Sequence, residues 1–367
     1  MTQNKFQTAI ITWISYPNYG SMLQAYALQQ TLKRLGVDSK LVDDSRYVRP
    51  KGFKRRIKSL VCSLLKVFLF QRRKSFSSFA YFKQNFLQVD ADWKNTSQLS
   101  DRYSRIVCGS DQIWSSILPD HHNGFYFASF ASAECEKIAY APSIGSMTYS
   151  KEYAELVRSW IKNFKSLSSR EKSGADILRE ISARDDVAVV LDPTLLLLSE
   201  QWRELEKHSD YPLPDGHYMF AYFLTFNEIY LRFAKGKAAE MGLQLVTIDN
   251  LPMFGRYADR VLSDVGPVAF LRLIANADYV VTDSFHGSIF SIQYRKPFIT
   301  VKRFSDNEPR CQNSRIYNLF ELLGIRDNFL SGQELDRQPC VPDWNSVERA
   351  LETERQMSID YLRKAFA

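Results

Sequence analysis

The chain lacks several features that would assign it to a familiar class. Its 367 residues include five cysteines without a Cys-x-x-Cys pair, so neither a disulfide framework nor a zinc site is expected. The Gly-x-Gly-x-x-Gly fingerprint of dinucleotide binding is absent. No apolar run is long enough to span a bilayer, and the N-terminus does not have the pattern of a signal peptide. A cytoplasmic protein without a metal ion is expected.

The net charge of +7 is concentrated in one segment. Residues 49–74 contain ten lysines and arginines around the apolar stretch Leu60–Phe70. A basic helix with an apolar face can bind the inner surface of a membrane peripherally, or it can pack on its own domain with the lysines in solvent. No nucleic-acid partner is expected, because no recognition motif interleaves these charges with aromatic residues.

Strand and helix patterns alternate along the chain, which predicts an α/β fold with parallel sheets covered on both faces. The length favours two domains. We expect an N-terminal domain over residues 1–185, a C-terminal domain over 186–343 and a terminal helix over 344–367. The predicted first strand covers Phe6–Ser15, and a helix follows from about Ser21.

The segment Asn18-Tyr19-Gly20-Ser21 joins this first strand to the first helix. A glycine here lets the backbone approach a ligand, and a helix N-terminus favours an anion. An ordinary turn with Ser21 as the helix cap explains the same pattern.

A second polar turn, Gly109-Ser110-Asp111-Gln112-Ile113-Trp114, follows a short buried strand. Its polar side chains suit hydrogen bonds to a sugar, and Trp114 could stack on the apolar face of the ring. Alternatively, Ser110 and Asp111 cap the next helix and Trp114 belongs to the core. The shared sheet edge favours the binding interpretation.

Two further sites complete the candidate set. Arg170 ends a predicted strand, where its planar guanidinium group could bind a carboxylate or phosphate. Its neighbour Glu171 could equally neutralise this charge in an ion pair. His286 lies in Thr282-Asp283-Ser284-Phe285-His286-Gly287-Ser288, a polar turn between an apolar strand and a helix predicted to start at Ser288. Open α/β folds bind anionic ligands at this edge, so His286 is the leading catalytic candidate.

Taken in order, these segments resemble the polysaccharide pyruvyl transferase family. The resemblance continues through Asp192-Pro193-Thr194-Leu195, Lys296-Pro297-Phe298-Ile299 and Asn313-Ser314-Arg315-Ile316. It implies two Rossmann-like domains facing a cleft, a glycosyltransferase-B-like arrangement, with the C-terminal helix crossing back to the first domain. It also implies phosphoenolpyruvate as co-substrate, no further cofactor, and a sugar diol of a glycan or lipid-linked saccharide as acceptor. The product would be a pyruvate ketal.

The resemblance places Arg170 and His286 at donor-binding positions. We hypothesise that His286 is the general acid, that Arg170 clamps the donor and that Asp111 orients or deprotonates the acceptor hydroxyl. The other expected donor contacts are Ser284, Phe285, Gly287, Ser288 and Arg315. The expected acceptor contacts are Asn18, Tyr19, Gly20, Ser110, Gln112 and Trp114.

The sequence departs from the family pattern at one position. Relatives often carry Arg-Leu-His-Gly where this chain has Ser284-Phe285-His286-Gly287, so a cationic donor contact is missing. Lys302, Arg303 or Arg315 are the candidates to replace it. A nucleotide-sugar-dependent glycosyltransferase and a non-catalytic binding protein of glycan assembly are the alternatives to the pyruvyl transferase hypothesis.

Overall fold

The computed structural model describes residues 6–48, 72–115, 124–145, 149–249, 252–308 and 311–367. The basic segment 49–74 therefore lies mostly outside the described residues, and its predicted membrane contact stays a prediction. Within the described residues, no helix is long and apolar enough to cross a membrane.

Residues 6–166 form the first parallel sheet, in the strand order β3-β2-β1-β4-β5-β6. Apolar side chains cover both faces, as a sheet with helices on both sides requires. The strands are β1 Phe6–Ile11, β2 Ser39–Val42, β3 Val89–Asp90, β4 Tyr103–Asp111, β5 Glu136–Pro142 and β6 Phe164–Ser166. The helices of this half are α1 Tyr19–Arg34, α2 Ser45–Val48, α3 Arg72–Phe86, α4 Thr96–Arg102, α5 Lys151–Ile161 and α6 Lys172–Ser182.

Residues 218–330 form a second parallel sheet that repeats this order, β11-β10-β9-β12-β13-β14. Its strands are β9 Tyr218–Tyr222, β10 Gln244–Ile248, β11 Arg260–Leu262, β12 Tyr279–Thr282, β13 Phe298–Val301 and β14 Phe329–Leu330. The later helices are α7 Ser199–Glu206, α8 Glu228–Glu240, α9 Pro267–Asn276, α10 Phe285–Gln293, α11 Ser314–Leu322 and α12 Trp344–Phe366. A small pair, β7 Ser168–Ser169 with β8 Ala188–Val189, lies between the two sheets in sequence. The predicted domain boundary at residue 185 falls in this region and stays a prediction.

The two halves share a hydrophobic core that continues across their interface. The Tyr19 ring of α1 stacks on Phe270 of α9, with 4.4 Å between ring centroids. The last helix, α12, then returns to the first half. Its Tyr361 hydroxyl donates to the carbonyl of Ala139 in β5 at 2.7 Å. These contacts confirm the predicted architecture, two Rossmann-like sheets with the terminal helix crossing back.

Three predicted boundaries are wrong, and local hydrogen bonds explain two of them. Strand β1 ends at Ile11 instead of Ser15, which leaves residues 12–18 as a loop at the sheet edge. Helix α1 begins at Tyr19, because the Asn18 side chain, not Ser21, caps it. Helix α10 begins at Phe285, because the Ser284 hydroxyl accepts from the Gly287 amide at 3.3 Å. His286 is therefore in the first turn of this helix.

Candidate functional site

A cavity of about 120 Å³ lies between the two halves, at the carboxyl ends of β1, β4, β9 and β12. These are the strands at which each sheet reverses its order, the position where open α/β sheets bind ligands. The volume holds several water-sized groups, which suits a small organic molecule. The lining residues are Trp13, Tyr16, Asn18, Ser21, Asp111, Gln112, Leu224, Asp283, Ser284, Phe285, His286, Arg303, Phe304, Gln312, Asn313, Arg315 and Ile316.

The wall from the first half is aromatic, neutral or acidic. Trp13 and Tyr16 come from the loop after β1, and Tyr16 is 58% exposed. Asn18 and Gln112 contribute amide groups beside them. A wall of this composition can stack on a sugar ring and hydrogen-bond its hydroxyls.

Asp111 is the carboxylate of this first wall. It ends β4 with a left-handed backbone, at a φ of 70°. Residues other than glycine rarely adopt this backbone conformation, and those that do cluster at functional sites. Its carboxylate accepts from the Ser21 hydroxyl at 2.7 Å and from the backbone N–H of Gln112 at 2.9 Å. These bonds fix the carboxylate at the edge of the cavity.

The wall from the second half carries the positive charges. Arg303 follows β13, and Arg315 lies in the first turn of α11. The loop with Arg303 is held by Asn313, whose amide donates to the Phe304 carbonyl and to Asp306, both at 2.8 Å. The arginines of the second wall therefore face a first wall that carries aromatic groups, amide groups and the Asp111 carboxylate.

Arg315 is a largely buried cation without a carboxylate partner. It forms no ion pair with any residue that the structure describes, and its side chain donates only to Gln312, at 3.3 and 3.2 Å. Burial lowers the pKa of Arg315 to about 10, and the positive charge of Arg170 contributes to this decrease. The negative charges of Asp111 and Glu171 oppose it only in part. A buried group with a disfavoured charge is a strong candidate to bind an anion.

Arg303 also forms no ion pair with a described residue, although the buried carboxylate of Asp283, which lines the same cavity, interacts with its charge. Its Nε is buried and lacks a hydrogen-bond partner among the described residues, and its guanidinium lies over the Phe304 ring, 5.0 Å from the ring centroid. The preceding Lys302 differs, because it pairs with Asp306 at 2.8 Å and does not line the cavity. Of the three candidates to replace the missing cation, only Arg303 and Arg315 reach the cavity.

His286 contacts a carboxylate that sequence reasoning did not assign to the site. Its Nε2 lies 3.5 Å from Oδ2 of Asp192 and has no hydrogen-bond partner in the described structure. Burial alone would raise the pKa of Asp192, but the charges of His286 and Arg170 hold it well below its ordinary value. An ionised Asp192 can orient the imidazole and stabilise its protonated form. In the sequence, the only indication that Asp192 belongs to the site is its position in the Asp192-Pro193-Thr194-Leu195 segment of the family pattern.

Arg170 is surrounded by carboxylates. It lies 2.5 Å from Asp192, 3.8 Å from Asp111 and 4.0 Å from Glu171, and only 2% of its side chain is exposed. Burial alone would lower the pKa of Arg170, but these three charges raise it. Arg170 does not line the 120 Å³ cavity. It lines a larger, mostly apolar cavity of about 430 Å³ on the other side of Phe285 and Arg315. The three carboxylates compensate the charge of Arg170, although its Nε and Nη2 have no hydrogen-bond partner among the described residues.

Several predicted contacts are buried away from the cavity. Trp114 is fully buried, stacks on Phe127 and donates to the Tyr126 carbonyl at 2.9 Å, so the prediction that it stacks on a sugar is wrong. Trp13 and Tyr16 supply the aromatic surface instead. Ser110 is also fully buried, and its hydroxyl donates to the Ala141 carbonyl at 3.0 Å.

The remaining predicted contacts support the site without lining it. Gly287 packs on Thr282, since a Cβ at Gly287 would lie 2.5 Å from the Thr282 hydroxyl oxygen. Ser288 lies 2.7 Å from the Thr300 hydroxyl. Tyr19 and Gly20 contact the second half rather than the cavity. The structure thus brings seven predicted residues to the cavity. They are Asn18, Asp111, Gln112, Ser284, Phe285, His286 and Arg315.

No group of three His, Cys, Asp or Glu side chains within the described ranges is placed to hold a metal ion.

Comparison with known structures identifies the same fold. A protein from Listeria monocytogenes, named as a UDP-N-acetylglucosamine 2-epimerase, superposes with a TM-score of 0.50 at 11% identity, covering 95% of each chain. The UDP-GlcNAc 2-epimerase of Neisseria meningitidis, solved with UDP-GlcNAc, gives a TM-score of 0.49 at 9% identity, covering 97% of this chain and 100% of that chain. A heptosyltransferase from E. coli, solved with ADP, gives 0.44 at 14% identity, covering 95% and 99%.

Sequence comparison is more specific. No curated protein shows significant similarity to the chain. The family model for polysaccharide pyruvyl transferase, however, matches residues 18–303. This range contains the first cavity loop from Asn18, the Asp111 turn, Asp192, His286 and Arg303. The match covers most of the chain, which therefore belongs to the polysaccharide pyruvyl transferase family.

Proposed function

We propose that this protein transfers the enolpyruvyl-derived group of phosphoenolpyruvate to a sugar diol and forms a cyclic pyruvate ketal. The acceptor would belong to a surface polysaccharide or to its lipid-linked precursor. One observation carries the proposal: Arg303 and Arg315 lack ion-pair partners among the described residues and line the cavity that contains His286.

The donor fits the second wall by charge. Phosphoenolpyruvate carries a carboxylate and a phosphate, and the planar guanidinium group binds both anions in a bidentate manner. Such a ligand would stabilise the charge of Arg315 most, because an anion would compensate the burial of this guanidinium and its repulsion from Arg170. These two arginines take over the role of the cation that is missing at Ser284.

The acceptor fits the first wall by shape and polarity. Trp13 and Tyr16 offer flat apolar surfaces to the apolar face of a pyranose. Asn18 and Gln112 provide donors and acceptors for its hydroxyls. Asp111 then orients the attacking hydroxyl and accepts its proton.

The reaction needs one proton on the donor methylene and two new C–O bonds on the neighbouring carbon. His286 donates the proton to the methylene carbon, and the positive charge that develops on the next carbon is attacked by the first hydroxyl. The second hydroxyl then attacks the same carbon as phosphate leaves. Of the two hydroxyl protons, one restores His286 through solvent or Asp111, and the other leaves with phosphate. The ionised Asp192 stabilises the protonated imidazole before His286 donates its proton and again after the proton is restored.

Calorimetric titration tests the donor assignment. We expect saturable binding of phosphoenolpyruvate and no binding of UDP, UDP-sugars or, at the same concentrations, inorganic phosphate. Arg303→Met should weaken phosphoenolpyruvate binding by about tenfold or more, since a hydrogen bond to a charged group contributes about 1.5–3 kcal/mol. Lys302→Met is the matched control: it removes a neighbouring cation that is already paired with Asp306, and should change the affinity less than about threefold.

Two results would contradict the proposal. Preferential binding of a nucleotide sugar would favour the glycosyltransferase alternative. Equal losses in Arg303→Met and Lys302→Met would mean that general positive charge, rather than this cavity, attracts the donor.

Peripheral membrane attachment through residues 49–74 is a separate part of the proposal, since a lipid-linked acceptor lies in a membrane. We expect the protein to sediment with vesicles containing anionic phospholipids, and to stay in solution with neutral vesicles or at high salt. Equal sedimentation with both vesicle types would contradict an electrostatic attachment.

A further inference from the structure

The first turn of α1 contacts the imidazole of His286 directly. If Gly20 carried a Cβ, that atom would lie 2.0 Å from Nδ1 of His286, 2.5 Å from Cγ and 2.6 Å from Cε1. Carbon atoms never approach ring atoms this closely without displacement. Gly20 has no positive φ, so the reason for a glycine is space for the ring and not backbone conformation.

The opposite edge of the ring contacts Asp192. Nε2 lies 3.5 Å from the Asp192 carboxylate, whereas Nδ1 is the ring atom nearest to the Gly20 position. His286 belongs to the second half, but both contacts come from residues that precede that sheet in the chain. The ring orientation is therefore set across the cleft.

Tyr19 holds this first turn against the second half. Its hydroxyl donates to the Val265 carbonyl at 2.9 Å, and its ring stacks on Phe270 at 4.4 Å. Burial raises the pKa of Tyr19 well above its ordinary value, so the hydroxyl stays protonated and keeps donating. The position of Gly20 relative to His286 is thereby fixed.

We propose that Tyr19 and Gly20, which belong to the first half, position the imidazole of His286, which belongs to the second half, for catalysis. This inference rests on the proposed function in one respect, the role of His286 as the general acid. It gives the Asn18-Tyr19-Gly20 segment a role in positioning the catalytic residue from the other half, in addition to the contact of Asn18 with the cavity.

A matched pair of substitutions tests the contact. Gly20 and Gly236 both lie within helices, α1 and α8, but a Cβ at Gly236 would have no neighbour within 4 Å. Helix propensity predicts that alanine raises the melting temperature at Gly236, in the interior of α8, and it predicts no loss at Gly20, in the first turn of α1. We expect Gly236→Ala to raise it slightly and Gly20→Ala to lower it by several degrees, because the ring or the interface must move.

Histidine NMR detects a displacement of the ring, because the chemical shift of Cε1 depends on its surroundings. The chain contains five histidines, so a ¹³Cε1-labelled protein gives a simple spectrum in which His286→Gln identifies the His286 signal. Gly20→Ala should shift this signal and leave the other four in place, and Gly236→Ala should shift none. An unchanged His286 signal in folded Gly20→Ala would overturn the inference.

The double variant keeps the test decisive if Gly20→Ala is unstable. In a His286→Ala background the ring is absent, so Gly20→Ala should no longer lower the melting temperature. An undiminished loss in that background would overturn the inference. The proposed function is tested separately, because phosphoenolpyruvate binding depends on Arg303 and Arg315. Absence of phosphoenolpyruvate binding in the unmodified protein would contradict the donor assignment without affecting the His286 result.

Discussion

Two arginines contact the same ring, Phe285, in opposite electrostatic surroundings. The guanidinium carbon of Arg170 lies 4.4 Å from the ring centroid, and that of Arg315 lies 5.5 Å from it. Arg170 is near three carboxylates, whereas Arg315 has no carboxylate partner in the part of the chain that the structure describes. The pKa of Arg170 is raised and that of Arg315 is lowered.

The difference separates a structural arginine from a binding arginine. A cation whose charge is compensated within the protein holds the structure together, and an added anion would have to compete with existing partners. A largely buried cation without such a partner favours folding less and anion binding more. Burial alone does not distinguish the two cases, but the surrounding charges do.

The largest expected effect is on stability, from Arg170→Met. The substitution leaves three buried carboxylates without their common counter-charge, which typically costs about 3–5 kcal/mol. We therefore expect a large decrease in the free energy of unfolding, measured by urea denaturation. Arg315→Met is the control, and should change this free energy by less than about 1 kcal/mol or raise it. Similar losses in both variants would show that the two surroundings are equivalent.

The next effect is on ligand binding, from Arg315→Met. Loss of a charged hydrogen-bond donor at the cavity should weaken phosphoenolpyruvate binding about 10- to 100-fold. Arg315→Lys should recover part of this affinity, since it keeps the charge and loses the bidentate geometry. Calorimetry measures both. Unchanged affinity in Arg315→Met would remove Arg315 from the donor site and leave Arg303 as the remaining candidate.

The lowered pKa of Arg315 predicts a pH dependence of donor binding. The charged form binds the anion and is present below the pKa, so affinity should be constant up to about pH 9 and decrease as the pH rises through about 10. An ordinary arginine would keep its charge throughout this range. The measurement is the dissociation constant of phosphoenolpyruvate between pH 8 and 11, with circular dichroism to check the fold. The Arg315→Met variant should not show this decrease in affinity near pH 10. A wild-type affinity that stays constant to pH 11 would contradict the prediction.

The sequence was sufficient for the architecture, and it predicted that Asp111 and His286 lie at one cleft. The carboxyl ends of parallel strands meet at one edge of a sheet, so Asp111 after β4 and His286 after β12 were expected near a cleft. Both line the cavity. The short strands β3, β11 and β14 were missed, because two or three residues are too few to produce a periodic pattern.

The sequence was not sufficient to tell which polar or aromatic residues face the cavity. The role of Arg170 depends on Asp192, 22 residues later, and on Asp111, which the fold brings to the same point. Trp114 and Trp13 both follow strands of the first sheet, but only Trp13 lines the cavity, while Trp114 fills the core. Such distinctions depend on tertiary packing, which local pattern does not specify.

The smallest expected effect is that of Ser284→Ala, at the position where relatives often carry arginine. The hydroxyl caps α10, so its loss should decrease the free energy of unfolding by about 1 kcal/mol. Asn227→Ala removes the cap of α8, does not change a residue that lines the cavity, and is the control with a similar cost. Because Arg303 and Arg315 supply the charge, phosphoenolpyruvate affinity should stay within about threefold of the unmodified protein in both variants. A tenfold loss in Ser284→Ala alone would mean that the serine binds the donor directly, and that the cationic wall is only part of the replacement for the missing arginine.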